Sequence, residues 1–271
     1  MEKPLSQVPT HNVMLEDFGW ETPVETVPVP SEGKVYPTNS ALFGKSTLQI
    51  KAMTAHEEDI LTSRALLQQG TVINYLIRSC LIDKSVDPQS MLLGDRNALM
   101  VSVRITGYGT LYRAAVDCPS CKSESSQDFD LSALTIKRLD LEPVRSGENV
   151  FTFTLPVTKK EIHFKFLTGV DESEGNTIAE RTKKLMPDIP IDRHVTSRLE
   201  QSIVSVDGIT DKNKINKFIK CMPAQDSRKL RWYINEHEPG IDMTCPMSCP
   251  HCGKDSDVPL PLGINFFWPT E

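Results

Sequence analysis

The sequence predicts an α+β protein in which a helical body carries β-hairpins and two zinc knuckles that form one four-cysteine site. Two Cys-Pro-x-Cys motifs, at residues 118–121 and 249–252, supply four thiolates, the complete tetrahedral shell of a structural zinc ion. The chain between them is mostly helical in its apolar periodicity. Within it, residues 150–155 and 161–166 alternate apolar and polar side chains, which predicts a β-hairpin.

The first 37 residues differ in composition from the rest of the chain. They contain six prolines and few periodic apolar positions, a composition that favours an extended backbone over a core of its own. We therefore expect an extended N-terminal arm over residues 1–37 and a single α+β domain, closed by the zinc site, over residues 38–271. Phe18 and Trp20 are large aromatic side chains of the kind that anchor interfaces, which favours an arm that binds a partner. The alternative is a tail that folds back on its own domain.

The helices are predicted from capping and stop signals. Thr54-Ala-His-Glu57 is a capping box that begins a helix, and Gly70 ends that helix. Residues 97–105 fit a helix or a strand, and we predict a helix with Asp95 as its cap. Further helices are predicted over residues 72–81, 171–185, 192–206, 211–222 and 223–239.

Each Cys-Pro-x-Cys motif lies between a strand-like segment and a short polar turn, so we place each one at the tip of a β-hairpin. A turn of this kind leaves backbone N–H groups free to hydrogen-bond the sulfur atoms. Because 127 residues separate Cys121 from Cys249, a shared zinc ion would join the second quarter of the chain to its C-terminal end. Such a site suggests a scaffold or binding protein more than a catalyst.

The predicted ligands of this structural zinc ion are Cys118, Cys121, Cys249 and Cys252. Disulfides or unrelated buried thiols are the alternatives, but an odd count of seven cysteines and the lack of a secretory signal argue against disulfides. Cys245 is an alternative ligand, whereas His251 would replace a thiolate only with distortion of its turn. Cys80 and Cys221 lie in apolar helical patterns, and we expect both to be buried as small hydrophobic residues.

Composition and charge narrow the class of function. The chain has 271 residues and a formal net charge of −6, and no apolar run approaches the roughly 20 residues of a membrane span. Acidic residues follow both cysteine motifs, so we do not expect a nucleic-acid partner. The lack of a long apolar run argues against a membrane partner. The sequence contains no phosphate loop, nucleophile elbow or His-Glu-x-x-His motif. Four thiolates also leave zinc no open position for water, so we do not expect an enzyme.

Three consecutive aromatic residues, Phe266, Phe267 and Trp268, follow the second cysteine motif. On an extended backbone alternate side chains face opposite sides, so Phe266 and Trp268 would face one way and Phe267 the other. One hypothesis is that these residues close the protein's own core. The other is that one aromatic face, held by the adjacent zinc site, anchors a partner subunit.

Five short segments carry a resemblance to a known family: residues 29–36, 53–61, 93–96, 105–109 and 264–269. Taken in order, and spanning roughly residues 29 to 269, they resemble the baseplate hub proteins of T-even-type contractile-tailed bacteriophages. It implies a virion or assembly component at the centre of the baseplate, with other hub or tail proteins as partners in a multi-subunit assembly. It also implies a location in the virion tail and, during assembly, in the host cytoplasm, where thiols stay reduced.

Taken together, these features predict a zinc-stabilised structural component of a phage tail baseplate hub that makes protein–protein contacts. A transient baseplate or tail assembly chaperone would share this sequence pattern. A nucleic-acid-binding zinc protein and a metal-dependent hydrolase are further alternatives, disfavoured by the acidic charge and by the lack of a visible general base.

Overall fold

Eight α-helices and eleven short strands make up the part of the chain that the computed structural model describes, residues 19–185 and 194–268. The helices are α1 (Ala55–Thr62), α2 (Arg64–Gln69), α3 (Val72–Cys80), α4 (Leu93–Tyr108), α5 (Gly169–Leu185), α6 (His194–Ser202), α7 (Lys212–Cys221) and α8 (Ala224–His237). The strands are β1 (Val24–Pro28), β2 (Thr47–Lys51), β3 (Leu111–Asp117), β4 (Glu124–Asp130), β5 (Ile136–Lys137), β6 (Phe151–Thr154), β7 (Glu161–Phe164), β8 (Ile203–Val206), β9 (Gly240–Ile241), β10 (Thr244–Ser248) and β11 (Asp255–Pro259). The predicted combination of helices and hairpins is confirmed. None of the described helices is both long and apolar enough to cross a membrane.

The strands pair into small antiparallel sheets. Four sheets have two strands (β1–β2, β3–β4, β5–β9 and β10–β11), and one has three, in the order β6–β7–β8. The predicted hairpin of residues 150–155 and 161–166 is confirmed as β6 and β7, with Phe151 opposite Phe164. Strand β8 was predicted as the end of a helix, because it follows α6 directly and no turn residue marks the change.

Part of the predicted N-terminal arm packs in the core. Strand β1 pairs with β2, and Val27, Val29, Val35 and Tyr36 are all buried. The prolines do not prevent this, because a two-stranded sheet leaves one edge of each strand without a ladder partner. The boundary between arm and domain at residue 37 stays a prediction, and residues 1–18 lie outside the described part of the chain.

The sequence suggested that Asp95 caps a helix, but α4 begins at Leu93, so Asp95 lies within the helix. Its carboxylate is buried and accepts hydrogen bonds from the backbone N–H of Ser31 at 2.8 Å, the Ser31 hydroxyl at 2.5 Å and the Tyr36 hydroxyl at 2.5 Å. The Tyr36 hydroxyl accepts in turn from the N–H of Leu92 at 2.9 Å. Burial raises the pKa of Asp95, although the bonds from Ser31 and Tyr36 oppose this shift. This network attaches the loop after β1 to the start of α4.

The predicted capping box at the start of α1 is confirmed, and its glutamate has a second role. Glu57 is fully buried, and its carboxylate accepts hydrogen bonds from the N–H and hydroxyl of Thr54, from Lys51 at 2.7 Å and from Ser79 at 2.6 Å. Burial alone would raise its pKa, but hydrogen bonds from Lys51, Ser79 and Thr54 lower it from 4.5 to about 2. Glu57 thus links β2, α1 and α3.

The C-terminal part of the chain packs closely on α4. A Cβ atom added to Gly94 would lie 1.7 Å from the carbonyl oxygen of Pro239, so only glycine fits at this crossing. Buried apolar side chains from Val27 to Phe267 contact one another in a core that includes both ends of the described chain. The C-terminal hairpin, formed by β10 and β11, is therefore held by the same core as the N-terminal strands.

Candidate metal centre

Each Cys-Pro-x-Cys motif lies at the tip of a β-hairpin, as predicted. In the first hairpin, β3 and β4 pair in register from Leu111 opposite Asp130 to Asp117 opposite Glu124, and the motif forms the turn. In the second, β10 and β11 pair up to the residues that flank its motif. Alternate side chains of β3 are buried and exposed, because one face of this hairpin lies on the core and the other faces solvent.

The first turn is closed by two backbone hydrogen bonds. The N–H of Cys118 donates to the carbonyl of Ser123 at 3.0 Å, and the N–H of Lys122 donates to the carbonyl of Cys118 at 2.8 Å. Lys122 has a φ of 61°, in the left-handed region that non-glycine residues seldom adopt. The turn therefore keeps a strained backbone at the residue after its second cysteine.

The second turn repeats this geometry. The N–H of Cys249 donates to the carbonyl of Lys254 at 3.0 Å, and the N–H of Gly253 donates to the carbonyl of Cys249 at 2.9 Å. Gly253 has a φ of 68°, so it matches Lys122 in both position and conformation. Two turns remote in sequence thus present their cysteines in the same way.

The two turns face each other and bring their four sulfur atoms together. The Sγ atoms of Cys118 and Cys252 lie 3.8 Å apart, and those of Cys121 and Cys249 lie 3.7 Å apart. All four Sγ atoms lie within 4.8 Å of one another. A tetrahedral ion with metal–sulfur bonds of about 2.3 Å requires sulfur–sulfur separations of about 3.8 Å, whereas a disulfide requires about 2.05 Å. The arrangement therefore fits a four-thiolate metal site and not a pair of disulfides.

Backbone and side-chain donors of the first turn point at its sulfur atoms. Hydrogen bonds from the backbone N–H groups of Cys121 and Ser120 lower the pKa of the Cys118 thiol. Hydrogen bonds from the side chain and backbone of Ser123 lower the pKa of Cys121 to about 6. These donors stabilise the thiolate form, which is the form that binds a metal.

In the second turn, the neighbouring thiols oppose ionisation of Cys252. The backbone N–H of Lys254 favours the thiolate of Cys252, but burial and hydrogen bonds with the three neighbouring cysteines raise its pKa to about 11. Four negative sulfurs at these separations repel one another. A divalent cation bound between them would remove this repulsion, which makes the donor set suitable for zinc.

The remaining thiols and His251 stand apart from this cluster. Cys245 is buried within β10, opposite Val258, and its sulfur is not part of the four-sulfur group; His251 is exposed. Cys80 is buried as predicted, but Cys221 is exposed. Cys221 follows the buried Ile219 by two residues on α7, which places it about 200° around the helix from the core-facing side.

A buried arginine that the sequence analysis did not consider ties the first hairpin to the body. Arg104, on α4, is 2% exposed, and it donates to the carbonyl oxygens of Phe266 at 3.1 Å, Gly109 at 3.2 Å and Leu111 at 3.2 Å. Its guanidinium lies 5.1 Å from the ring centroid of Tyr108. The sequence signal that could have identified this residue is the position of an arginine within the apolar run that forms α4.

The C-terminal aromatic residues form part of this junction. Residues Ile264–Phe267 form a 3₁₀ helix rather than an extended strand, so the predicted alternation is wrong, and Phe266 and Phe267 are both buried while Trp268 is half-buried. The ring of Phe266 meets that of Tyr112 edge-on at 4.9 Å. This packing favours the core-closing hypothesis for the two phenylalanines.

Of the two N-terminal aromatic residues predicted to contact a partner, the structure describes Trp20 but not Phe18. The side chain of Trp20 is 47% exposed just before β1, so it is free to contact a partner. Phe18 lies outside the described residues. The assignment of these aromatics to a partner interface stays a prediction.

Comparison with known proteins identifies a family. The sequence model of the family described as "T4 bacteriophage base plate protein" matches residues 25–268, which include both hairpins and the 3₁₀ helix. No curated protein and no solved structure gives a significant match to the chain.

Proposed function

The chain belongs to the T4 bacteriophage base plate protein family, and from this premise we propose that it is a structural component of the hub of a phage tail baseplate, stabilised by one zinc ion. Membership in the family implies a place in the virion tail and assembly with other phage tail proteins. The hub position, and the presence of the protein in the host cytoplasm during assembly, are the finer parts of this proposal.

The observation that carries the zinc proposal is the meeting of two cysteine pairs from separate hairpins. Cross-hairpin sulfur separations of 3.7 and 3.8 Å match the edges of a zinc–thiolate tetrahedron. Cys118 and Cys249 are buried, whereas Cys121 and Cys252 lie at the surface, so the site is at the edge of the core where a metal can enter. The ion would hold two hairpins that are remote in sequence in a fixed relative position.

The proposed role is structural and not catalytic. Four thiolates fill the coordination shell of zinc and leave no position for an activated water. Family membership also points to a structural protein. Contacts with partners are proposed to use Trp20 and Trp268, which are accessible in the structure, together with Phe18; Phe266 and Phe267 would contribute indirectly, by holding Trp268 on the core.

Metal analysis of the purified protein tests the zinc site. We expect one zinc ion per chain, and we expect Cys121→Ser and Cys252→Ser each to lower both the zinc content and the melting temperature. Cys221→Ser is the matched control, since it removes an exposed thiol outside the cluster. Two ions per chain, iron in place of zinc, or no metal in the folded protein would each contradict the proposal.

Mass spectrometry of purified virions tests the structural assignment. A structural component should be present at a fixed ratio to other baseplate proteins. A protein that is present in infected cells and missing from finished particles would instead be a transient assembly chaperone. This result is independent of the metal analysis, because a chaperone with the same hairpins would still bind zinc.

A further inference from the structure

The strongest concentration of like charge in the sequence lies outside the two segments that carry the cysteine motifs. Residues 212–232 contain seven lysines and arginines and a single acidic residue, Asp226, which gives this segment a net charge of +6 in a chain whose net charge is −6. Asp226 is buried, where it accepts hydrogen bonds from the backbone N–H groups of Val157 and Thr158. The charged side chains that this segment exposes to solvent are therefore all basic.

Part of this basic surface is concave. Gln225, Arg228, Lys229 and Trp232 recur on one face of α8 and line a cavity of about 450 Å³. A second cavity, of about 370 Å³, lies where this face meets Arg198 and neighbouring residues of α6, and it shares Arg228 and Trp232 with the first. The two cavities share the side chains of Arg228 and Trp232, and we call the surface that they line together the Arg–Trp groove.

Carboxylates among the described residues leave most of the positive charge of this groove unpaired. Arg198 pairs with Glu238 at 3.3 Å, but neither Arg228 nor Arg231 forms an ion pair with an acidic side chain in residues 19–185 and 194–268. Trp232 is 56% exposed, and the amine of Lys229 lies 5.3 Å from the centroid of its ring. Two guanidinium groups that have no carboxylate partner among the described residues therefore lie beside a large aromatic surface.

We propose that the Arg–Trp groove binds an acidic segment of a neighbouring baseplate protein, one that carries at least two carboxylates beside an apolar or aromatic side chain. Arginine binds carboxylates with two parallel hydrogen bonds, and Trp and Arg are the residue types that dominate binding energy at interfaces. The proposal rests on the proposed baseplate role and supplies the kind of partner, but it does not depend on zinc.

A protein segment fits the groove better than a nucleic acid does. Nucleic-acid binding requires a long basic track that follows many phosphates, and the acidic remainder of the chain would repel such a polyanion. The groove is lined by few residues, and it combines one tryptophan with two arginines that have no carboxylate partner in the described part of the chain. That set of groups matches a peptide with few charges and one apolar anchor.

Site-specific photo-crosslinking during phage assembly tests the proposal. Trp232 is replaced by p-benzoylphenylalanine, an aromatic of similar size, in full-length protein supplied to a phage that lacks its own copy. After irradiation, we expect a crosslink to an Asp- or Glu-rich peptide of another baseplate protein, identified by mass spectrometry. Placing the photo-crosslinker at Gln225, on the rim of the same groove, covers the case in which the change at Trp232 disturbs binding.

Charge-reversal variants measure how much the two arginines contribute to binding. The double variant Arg228→Glu and Arg231→Glu should reduce the crosslink from Gln225, and the incorporation of the protein into particles, at least tenfold. The matched control, Lys212→Glu and Lys217→Glu, makes the same charge change on exposed residues of α7 and should change both by less than threefold. Zinc content and melting temperature should stay at wild-type values in both variants, because all four residues are exposed.

The outcomes separate the possibilities. Crosslinks to nucleic acid, to a second copy of this chain, or to no molecule at either position would overturn the proposal. Equal losses in the two double variants would also overturn it, since they would reflect net charge and not the groove. Failure of the baseplate role would instead appear as absence of the protein from purified virions, whatever the crosslink shows.

Discussion

Replacement of Arg104 by Met tests how the first cysteine-bearing hairpin is attached to the helical body. The arginine is 2% exposed, and its guanidinium donates to three backbone carbonyl groups, those of Gly109, Leu111 and Phe266. Methionine fills much of the same space with an unbranched apolar side chain, but it has no donor. The variant therefore isolates the hydrogen bonds from most of the packing.

The expected magnitude follows from the burial of each bond. A hydrogen bond to a charged group contributes about 1.5–3 kcal/mol, and less where water can replace it. The bonds to Gly109 and Leu111 are partly buried, so about 1 kcal/mol is appropriate for each, and about 2 kcal/mol for the buried bond to Phe266. Because the variant no longer buries a cation, part of this cost is recovered. We expect a net loss of about 3 kcal/mol in the free energy of unfolding.

Urea unfolding followed by circular dichroism measures this loss. With a denaturant slope of about 3 kcal/mol/M, the midpoint should fall by roughly 1 M without a change in slope. Arg113→Met is the control, because Arg113 pairs with Asp128 on the exposed face of the same hairpin and should leave the midpoint nearly unchanged. The reasoning would be refuted by a midpoint for Arg104→Met that equals the wild-type value, or by an equal fall in the control.

Two further predictions concern the body. Burial would raise the pKa of Glu57, but hydrogen bonds from three side chains lower it from 4.5 to about 2. The ionised form of Glu57 therefore stabilises the fold above about pH 4.5. This contribution is lost as the pH falls towards about 2. Glu57→Gln should therefore lower the melting temperature at neutral pH and flatten its decline in acid; an unaltered decline would contradict this. Gly94→Ala brings a methyl group against Pro239 and should lower the free energy of unfolding, measured by calorimetry, by on the order of 1–3 kcal/mol. Gly263→Ala is the control and should lower it little, because nothing lies within 4 Å of the added carbon. Equal melting temperatures of the two variants would contradict the close-packing argument.

The hairpins that carry the cysteines could be predicted because their signals are local. A Cys-Pro-x-Cys motif requires a tight turn, and the flanking residues alternate in a way that permits strands. The capping box at Thr54 and the helix over residues 97–105 depend in the same way on neighbours within one or two turns. The meeting of the two hairpins was inferred only from the coordination number of zinc, since one zinc ion needs all four thiolates.

The elements that were missed depend on contacts between distant parts of the chain. Asp95 resembles a helix cap in sequence, but Ser31 and Tyr36 provide donors that no local pattern reveals. Strand β8 is extended because it completes the sheet beside β7. Likewise, Phe266 and Phe267 are both buried because a 3₁₀ helix, held by Arg104, replaces the expected extended backbone.

The two hairpins meet through their four sulfurs, and buried residues of both also enter the common core, so the response to loss of metal should be concentrated at this junction. Gln127 donates to the carbonyl of Ser248 at 3.0 Å across the hairpins, and the Tyr112 hydroxyl reaches the carbonyl of Pro261 at 3.4 Å. Each hairpin forms a sheet of only two strands, and such sheets are marginally stable alone. The ion would therefore supply much of the free energy that orders the hairpin tips.

Removal of zinc by a chelator should loosen these hairpins and leave the three-stranded sheet intact. That sheet is held by rings that do not involve the metal, since Phe151 packs against Phe164 at 5.7 Å and Phe164 against Tyr233 of α8 at 5.9 Å. Hydrogen exchange read by mass spectrometry should therefore rise in residues 111–130 and 244–259 and stay unchanged in β6, β7 and β8. A uniform rise over the whole chain would show that the ion stabilises the entire fold and not one junction. If the metal is lost and exchange rises nowhere, the ion is not structural, and the role of the four cysteines in holding the hairpins together must be abandoned.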